Sequence, residues 1–338
     1  MKKFISLICV LAMVLALAAC GSSAPAAATE APAASTEAPA EDVSADKTFV
    51  VGICQLVQHP ALDAATQGFK DALTEALGDK VTFQEQNASG DSATCSLICN
   101  QFVSDEVDLI MANATASIQA AASATNTIPI LGTSITDYGV ALGVDNWTGV
   151  SGTNISGTSD LAPLDGQAAM IQELFPDAKT IGLLYCSGEP NSIFQADSME
   201  ALLTDMGYSV ERYTFADSND VSSVTANACS NSDVLYIPTD NTAASCTEAI
   251  NNVALSAGIP IVAGEEGLAS GCGVATLSIS YYDLGRATGE MAAEILTEGA
   301  DVSTMEVRFA PAFTKEYNAD ICEALNITVP EDYVAIAK

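Results

Sequence analysis

The chain has 338 residues, 49% of them hydrophobic, and is long enough for two modest globular domains. Its 43 acidic residues against 11 lysines and arginines give a net charge of −32 at pH 7. Such a surface repels nucleic acid and anionic lipid head groups, and it argues against an anionic ligand held in a basic pocket. The composition instead favours a protein that faces dissolved solutes outside the cytoplasm.

The amino terminus has the pattern of a bacterial lipoprotein signal. Two lysines precede an apolar stretch at 4–16, and small residues then lead to Cys20. A lipoprotein signal peptidase cleaves before such a cysteine, so residues 1–19 are predicted to be removed and Cys20 to become the lipidated first residue. The alternative is an ordinary signal peptide with a chance cysteine. Residues 21–46 are mostly Ala, Pro, Ser, Thr and Glu, which predicts a flexible tether.

A strand, a polar loop and a helix follow the tether. The apolar, β-branched run at 49–54 is too short and too rich in strand formers for a helix. Pro60 suits the first turn of a helix, because its missing N–H would have no partner there. The loop between them, with Gln55, Leu56 and His59, therefore lies where open α/β sheets bind small ligands. His59 is the only histidine in the chain.

The later segments alternate between strand and helix patterns, which predicts parallel sheets covered by helices on both faces. A passage rich in Gly, Asn, Ser and Thr at 143–159 is predicted to cross between domains. In chain order the other main predicted elements are strand 81–86, helix 92–103, strand 108–113, helix 116–124, strand 128–132, strands 179–186, 233–236, 259–262 and 273–279, helix 283–296, strand 305–310 and helix 315–325.

The first half of this pattern recurs in the second half, which predicts an α/β fold of two Rossmann-like lobes with parallel sheets. The matching segments, in the same order, are 47–54 with 179–186, 108–111 with 233–236, and 128–131 with 259–262. Residues 47–156 and 283–299 are predicted to form the first lobe, and 157–282 and 300–338 the second. The chain would then cross between the lobes three times.

Nearly all polar clusters follow predicted strands, so two facing lobes would enclose a ligand cleft that closes by hinge motion. In the first lobe the candidate residues are Gln55, Leu56, His59, Thr115, Ala116, Thr133 and Ser134. In the second lobe they are Thr158, Ser159, Asp160, Glu189, Asn191, Ser192, Thr239, Asp240, Asn241 and Glu265, with Tyr281 at the last crossing.

Six blocks of the chain resemble ABC transporter substrate-binding proteins of the family that includes tryptophan-binding lipoproteins. They are QLVQHPALDAA, ANATASIQAAA, SGTSD, PTDNTAAS, IPIVAGEE and SYYDLGRATGEMAAEIL. The resemblance covers residues 47–330. It implies a type I periplasmic-binding-protein fold, with an aromatic amino acid or a related small zwitterion as the ligand.

The chemistry of the candidate residues agrees with a zwitterion. Hydroxyl groups and helix-start N–H groups at 115–116 and 133–134 are suited to a carboxylate. Asp160, Asp240 and Glu265 are suited to an ammonium group, and none of these loops contains Arg or Lys. Neutral and cationic head groups therefore fit better than phosphate or sulfate.

Several candidates have a second interpretation. Thr115 and Asp240 are also plausible helix caps, and Asp137 and Glu189 fit solvated loop positions. Tyr281 suits either the cleft or the packing of the hinge. The sequence contains no catalytic partner for His59, so a structural or ligand-stacking role is favoured over catalysis.

The eight cysteines beyond the signal and Cys20 are scattered over predicted strands and helices, without a C-x-x-C pair. Buried free thiols are the favoured interpretation, with one or two disulfides as the alternative and a metal site disfavoured. No cofactor motif is found.

The favoured function is a monomeric, lipid-anchored solute-binding protein that delivers its ligand to an ABC permease driven by a separate ATPase. A sensor subunit that presents its closed form to a membrane receptor is the alternative. An extracytoplasmic enzyme is disfavoured, since no Walker loop, G-x-S-x-G elbow or H-E-x-x-H motif is present.

Overall fold

The computed structural model describes residues 47–310 and 312–337, which form two α/β lobes. The predicted signal, the lipidated Cys20 and the tether fall on residues 1–46, outside the described residues. None of the helices in the described part of the chain has the length and apolarity needed to cross a membrane.

Helices and strands alternate along the chain. In the first half they are β1 (Phe49–Gln55), α1 (Pro60–Leu77), β2 (Val81–Asn87), α2 (Ser92–Ser104), β3 (Leu109–Asn113), α3 (Thr115–Ala124), β4 (Ile130–Ile135), α4 (Tyr138–Leu142), β5 (Ile155–Ser159) and α5 (Leu164–Leu174). In the second half they are β6 (Thr180–Cys186), α6 (Pro190–Asp205), β7 (Ser209–Phe215), α7 (Val221–Asn231), β8 (Val234–Ile237), α8 (Asn241–Ala244), α9 (Thr247–Ala257), β9 (Ile261–Ala263), α10 (Glu266–Gly271), β10 (Ala275–Ser278), α11 (Tyr281–Glu298), β11 (Arg308–Phe309), β12 (Thr314–Tyr317), α12 (Ala319–Leu325) and β13 (Val334–Ala335).

Each lobe is built on one sheet. The first sheet has the order β11-β5-β4-β3-β1-β2, and all its pairings are parallel. The second has the order β13-β12-β10-β9-β8-β6-β7, in which β10 and β12 pair antiparallel. The central strands β3, β4, β8 and β9 are buried along their whole length because helices cover both faces. The predicted pair of α/β lobes is confirmed.

The chain crosses between the sheets three times, as predicted: after β5, between β10 and α11, and between β11 and β12. The boundaries differ from the prediction at two strands. Thr158 and Ser159, which we assigned to the second lobe, belong to β5 and pair in the first sheet with β4 and β11. The strand β11, also assigned to the second lobe, forms the edge of the first sheet.

The misplaced boundary has a physical cause in the composition of β5. Its sequence, ISGTS, is small and polar, so it lacks the apolar run that marks the other central strands. The buried hydroxyl groups of β5 are stabilised by hydrogen bonds instead of apolar contacts. The Oγ1 atoms of Thr158 and Thr288 are 2.8 Å apart, and Ser156 donates to the carbonyl oxygen of Met305 at 3.0 Å. The predicted crossing at 143–159 therefore ends in a sheet strand.

The predicted helix at 315–325 is wrong in its first turn. Residues Thr314–Tyr317 form β12, which pairs with β10, and the helix α12 begins only after Asn318. The Asn318 side chain accepts hydrogen bonds from the N–H groups of Asp320 and Ile321, both at 3.1 Å. This cap sets the start of the helix.

Helices α1 and α11 pack closely because small residues line their contact. Gly68 on α1 faces the backbone of Tyr282, and Gly285 on α11 faces the backbone of Ala65. A Cβ atom at either glycine would overlap a backbone carbonyl oxygen of the other helix. This contact holds α11, which follows the second crossing, on the first lobe.

We expect Gly285→Ala to destabilise the protein by about 1–3 kcal/mol, because the added methyl group overpacks a backbone contact that cannot move aside. Gly188→Ala is the matched control, since the nearest atom to its Cβ would lie at 3.7 Å. Urea unfolding followed by circular dichroism measures both changes. Equal stability of the two variants would contradict the close packing of α1 on α11.

Candidate ligand-binding site

A cleft of about 440 Å³ lies between the lobes, at the carboxyl ends of the strands. Its lining comes from loops of both sheets, as expected for two facing α/β lobes. From the first lobe these residues are Leu56, Val57, Ser89, Gly90, Asp91, Ser92 and Ala116, and from the second they are Cys186, Gly188, Glu189, Ala216, Asp217, Ser218, Asn241, Thr242 and Ser245. None of these lining residues is a lysine or an arginine.

Side chains of the two lobes also contact each other directly. His59 Nε2, at the start of α1, lies 3.3 Å from Asn241 Oδ1 at the start of α8. Thr136 Oγ1, after β4, lies 3.4 Å from Thr239 Oγ1, after β8. His59, Thr136 and Thr239 lie in loops that follow strands, and Asn241 is the first residue of α8. The lobes are therefore closed on one another.

Three buried polar atoms near the meeting of the lobes have no hydrogen-bond partner. They are His59 Nδ1, Ser134 Oγ and Asp160 Oδ1, and the three residues are only 5–6% exposed. Leaving a buried polar group without a partner costs free energy, so such atoms are rare unless a ligand or water completes them. The sequence predicted all three as ligand-binding residues, and in the structure His59 precedes α1, Ser134 lies near the end of β4 and Asp160 follows β5.

Asp160 lies at the first crossing, immediately after β5. Its Oδ2 accepts a hydrogen bond from the hydroxyl group of Tyr281 at 2.9 Å, which leaves Oδ1 unpartnered. Burial raises the pKa of Asp160, and the hydroxyl groups of Tyr281 and Thr136 oppose that rise. Tyr281 is itself buried, so it packs in the hinge and also orients the carboxyl group. An incoming cation would supply the missing partner of Oδ1.

Donors for an anionic group lie on the neighbouring strand ends. Ala114 directly follows β3, and Ser134 lies near the end of β4. Their φ angles are positive, at 88° and 55°, a conformation that non-glycine residues adopt mainly at special sites. The helix α3 begins at Thr115, and the first N–H groups of a helix have no partner within it. The Ser134 hydroxyl and these N–H groups are chemically suited to a carboxylate.

The other two predicted partners of an ammonium group are helix caps. Asp240 accepts hydrogen bonds from the N–H groups of Cys186 at 2.6 Å and Ala243 at 2.8 Å. Glu265 accepts from the N–H groups of Gly267 and Leu268, both at 2.5 Å. Burial raises the pKa of Glu265 to about 7 in spite of these donors. Both carboxylates are thus occupied by backbone, which is the cap interpretation that the sequence left open for Asp240.

Glu189 is bound within the protein and is not a solvated loop residue. Its Oε1 accepts from the N–H and hydroxyl groups of Thr242 at 2.8 and 2.7 Å. Its Oε2 accepts from the backbone and side-chain N–H groups of Asn241 at 3.0 and 2.7 Å. Nearby, Asn191 Nδ2 donates to the carbonyl oxygen of Thr239 at 2.9 Å and lies against the buried Ser192. These contacts shape the wall of the cleft on the second lobe.

Asp137, the other candidate for a solvated position, caps α4 by accepting a hydrogen bond from Val140 N–H at 2.7 Å.

Several predicted site residues are engaged inside the first lobe. Gln55 donates to Asp63 and accepts from Thr66, both at 2.6 Å, so it fixes the loop before α1. Thr133 and Thr158 are hydrogen-bonded to each other at 3.3 Å, and Ser159 donates to the carbonyl oxygen of Thr136 at 3.0 Å. Leu56 and Ala116 do line the cleft.

Among the residues that join the two lobes, Thr136 was missed by sequence reasoning. It is 3% exposed and contacts Thr239 of the other lobe. It lies in the same polar run as Ser134 and Asp137, which we did single out. The signal that could have found Thr136 is its position directly after β4. The predicted strand ended at residue 132, whereas β4 continues to Ile135.

The eight cysteines of the described residues are free thiols, and seven of them are buried. Cys54 and Cys95 each lie 3.6 Å from the hydroxyl oxygen of Ser117. Within residues 47–310 and 312–337 no cluster of His, Cys, Asp and Glu is suited to a metal ion.

Comparison with known proteins identifies the class. Residues 50–338 match the family described as ABC transporter substrate binding protein, and the chain belongs to this family. Its two lobes with three crossings have the type I periplasmic-binding-protein fold, shared with a 5-methylthioribose-binding protein from Thermotoga lettingae at 15% identity and a TM-score of 0.55 over 75% of this chain and 82% of that one.

More similar relatives are known. A tyrosine-binding protein of Clostridioides difficile (strain R20291) is 38% identical over 280 residues, which cover 82% of this chain and 81% of the relative. An ABC domain from Streptococcus pneumonia, in complex with L-Trp, is 32% identical with a TM-score of 0.80 over 84% of this chain and 97% of that one. A ligand-free, open substrate-binding protein with adhesive properties from Clostridium difficile is 38% identical with a TM-score of 0.66 over 86% and 99%. The chain thus superposes better on the tryptophan complex than on the open protein, although its identity to the open protein is higher. The lobes are therefore arranged less like those of the open protein than like those of the tryptophan complex.

We expect Asp160→Asn to stabilise the ligand-free protein by about 1 kcal/mol at pH 8, because it removes a buried, half-partnered carboxylate. The native-state pKa of Asp160 is raised, so the ionised carboxyl group destabilises the fold above that pKa. The penalty fades as the pH falls through the native pKa, and the two proteins should become equally stable below the unfolded-state pKa.

Asp145→Asn is the control, because it removes one negative charge from an exposed position. Urea unfolding at several pH values between 8 and 3 measures the effect. A destabilised Asp160→Asn protein at pH 8 would show that Oδ1 has a strong partner within the protein.

Proposed function

We propose that the protein captures a free aromatic amino acid outside the cytoplasm and delivers it to an ABC importer. The observation that carries the proposal is the unpartnered Oδ1 of Asp160, buried where the lobes meet. A carboxylate in this position needs a cationic partner, and an amino acid supplies an ammonium group. The named ligands of two relatives, tyrosine and L-Trp, support the aromatic class.

The carboxylate of the ligand would be held by neutral donors. Ser134 Oγ is buried without a partner, and the N-terminus of α3 follows the adjacent strand. Because the lining of the cleft contains no lysine or arginine, these hydroxyl and N–H groups supply the positive electrostatic potential. The aromatic side chain would lie against Leu56, Val57 and Ala116.

The partners of the proposed cycle are a membrane permease and its ATPase. The protein acts as a monomer, held at the outer face of the cell membrane by the lipid on Cys20. Closure around the ligand presents the two lobes together to the permease, and opening releases the amino acid into the translocation path.

Isothermal titration calorimetry tests the ligand. We expect L-tyrosine or L-tryptophan to bind, whereas tyramine, which lacks the carboxylate, and 3-(4-hydroxyphenyl)propionate, which lacks the ammonium group, should bind much more weakly. Asp160→Asn should reduce the affinity by about 30-fold or more, corresponding to ~2 kcal/mol for a lost charge-assisted contact.

Asp145→Asn should bind as the wild type does, since it lies on an exposed loop. Failure of the wild-type protein to bind any aromatic amino acid would overturn the proposed ligand class. Binding of 3-(4-hydroxyphenyl)propionate as tightly as tyrosine would overturn the role of Asp160.

A further inference from the structure

We infer that His59 is a specificity-determining residue that accepts a hydrogen bond from the ligand at Nδ1 while its Nε2–H holds Asn241 of the opposite lobe. The inference rests on the proposed function and names the atom that a ligand must satisfy. That atom requires a hydrogen-bond donor, either an N–H or an O–H group.

The protonated nitrogen of His59 follows from a chain of hydrogen bonds in the second lobe. Glu189 is fixed by the N–H groups of Asn241 and Thr242, at 3.0 and 2.8 Å. Its Oε2 also accepts from Asn241 Nδ2 at 2.7 Å, and a carboxylate accepts but does not donate. The amide orientation of Asn241 is therefore set, with Oδ1 toward His59 at 3.3 Å. An amide oxygen only accepts, so the proton lies on Nε2.

A neutral imidazole with its proton on Nε2 has an acceptor lone pair on Nδ1. Nδ1 is buried without a partner, and the residue is 6% exposed. Burial lowers the pKa of His59, although Asn241, Glu189 and Asp63 act in the opposite direction. The ring is thus neutral in the closed form, and Nδ1 remains an acceptor.

The position of His59 fixes the direction of this acceptor only when the lobes meet. It precedes α1 on the first lobe, and its partner Asn241 begins α8 on the second. The contact orients the imidazole ring, so Nδ1 has a defined direction in the closed form. A ligand without a suitably placed donor would leave Nδ1 unsatisfied and would bind less tightly.

The single histidine makes the test direct. In ¹⁵N NMR spectra of protein without a histidine tag, one imidazole is observed, and its two nitrogens report the tautomer. We expect Nε2 to carry the proton, and the Nδ1 resonance to move upfield when L-tyrosine or L-tryptophan is added. A proton on Nδ1, or an unchanged Nδ1 resonance with an amino acid that calorimetry shows to be bound, would overturn the inference.

Two substitutions separate the two nitrogens. In His59→Gln the side-chain amide reaches the position of Nε2, which keeps the contact with Asn241 and removes the Nδ1 acceptor. In His59→Asn the amide oxygen takes the place of Nδ1 instead. We expect His59→Gln to lower the affinity by about tenfold or more, and by more than His59→Asn does. Wild-type affinity in His59→Gln, or the reverse order, would contradict the inference.

L-Phenylalanine distinguishes the donors that an aromatic amino acid offers. If the side-chain donor reaches Nδ1, the wild type prefers tyrosine to phenylalanine and His59→Gln loses that preference. If the ammonium group reaches Nδ1, the substitution lowers both affinities equally. Either pattern supports the acceptor role. Failure of the wild type to bind any of these amino acids would instead overturn the proposed function.

Discussion

The hydrogen bond between Tyr281 and Asp160 connects the hinge to the candidate binding site. Asp160 lies at the first crossing, Tyr281 begins the helix after the second crossing, and their oxygens are 2.9 Å apart. The bond orients the carboxyl group and leaves Oδ1 for a ligand. Because the same residues belong to the crossings and to the site, a cation that binds Oδ1 acts directly on the segments about which the lobes turn. The tight contact of α1 with α11 then transmits any movement of Tyr281 to the first lobe as a rigid unit.

Helix N-termini stabilise several carboxylates in this acidic chain. Asp137, Asp240 and Glu265 each cap the helix that follows a strand, and Glu189 accepts from the first N–H groups of α8. The partial positive charge at a helix start stabilises a carboxylate without any lysine or arginine. These acids are satisfied internally, so they do not compete for the ammonium group of a ligand. Asp160 differs because it follows a strand at a crossing, where no helix begins.

The sequence predicted the fold well where burial is apolar. The strands that begin at Phe49 and Thr180 could be found from their β-branched runs, and their similarity indicated two lobes. The strand at Ile155–Ser159 could not, since its stability depends on hydroxyl pairs such as Thr158 with Thr288, which are distant in sequence. For the candidate site, too, the sequence pattern was informative only in part. Position after a strand singled out Ser134 and Asp160 as candidates, but the same position also suits a cap, and only the three-dimensional contacts separate Asp240 from Asp160.

The strength of the interlobe contacts fits a protein that must both hold and release its ligand. The contacts of His59 with Asn241 and of Thr136 with Thr239 are long, at 3.3 and 3.4 Å, and a single hydrogen bond of ordinary length contributes only about 1 kcal/mol. The unpartnered atoms on His59, Ser134 and Asp160 are buried in the closed, empty protein and destabilise it. A ligand that supplies their partners reverses this penalty. A ligand that supplies these partners therefore contributes to the free energy of closure.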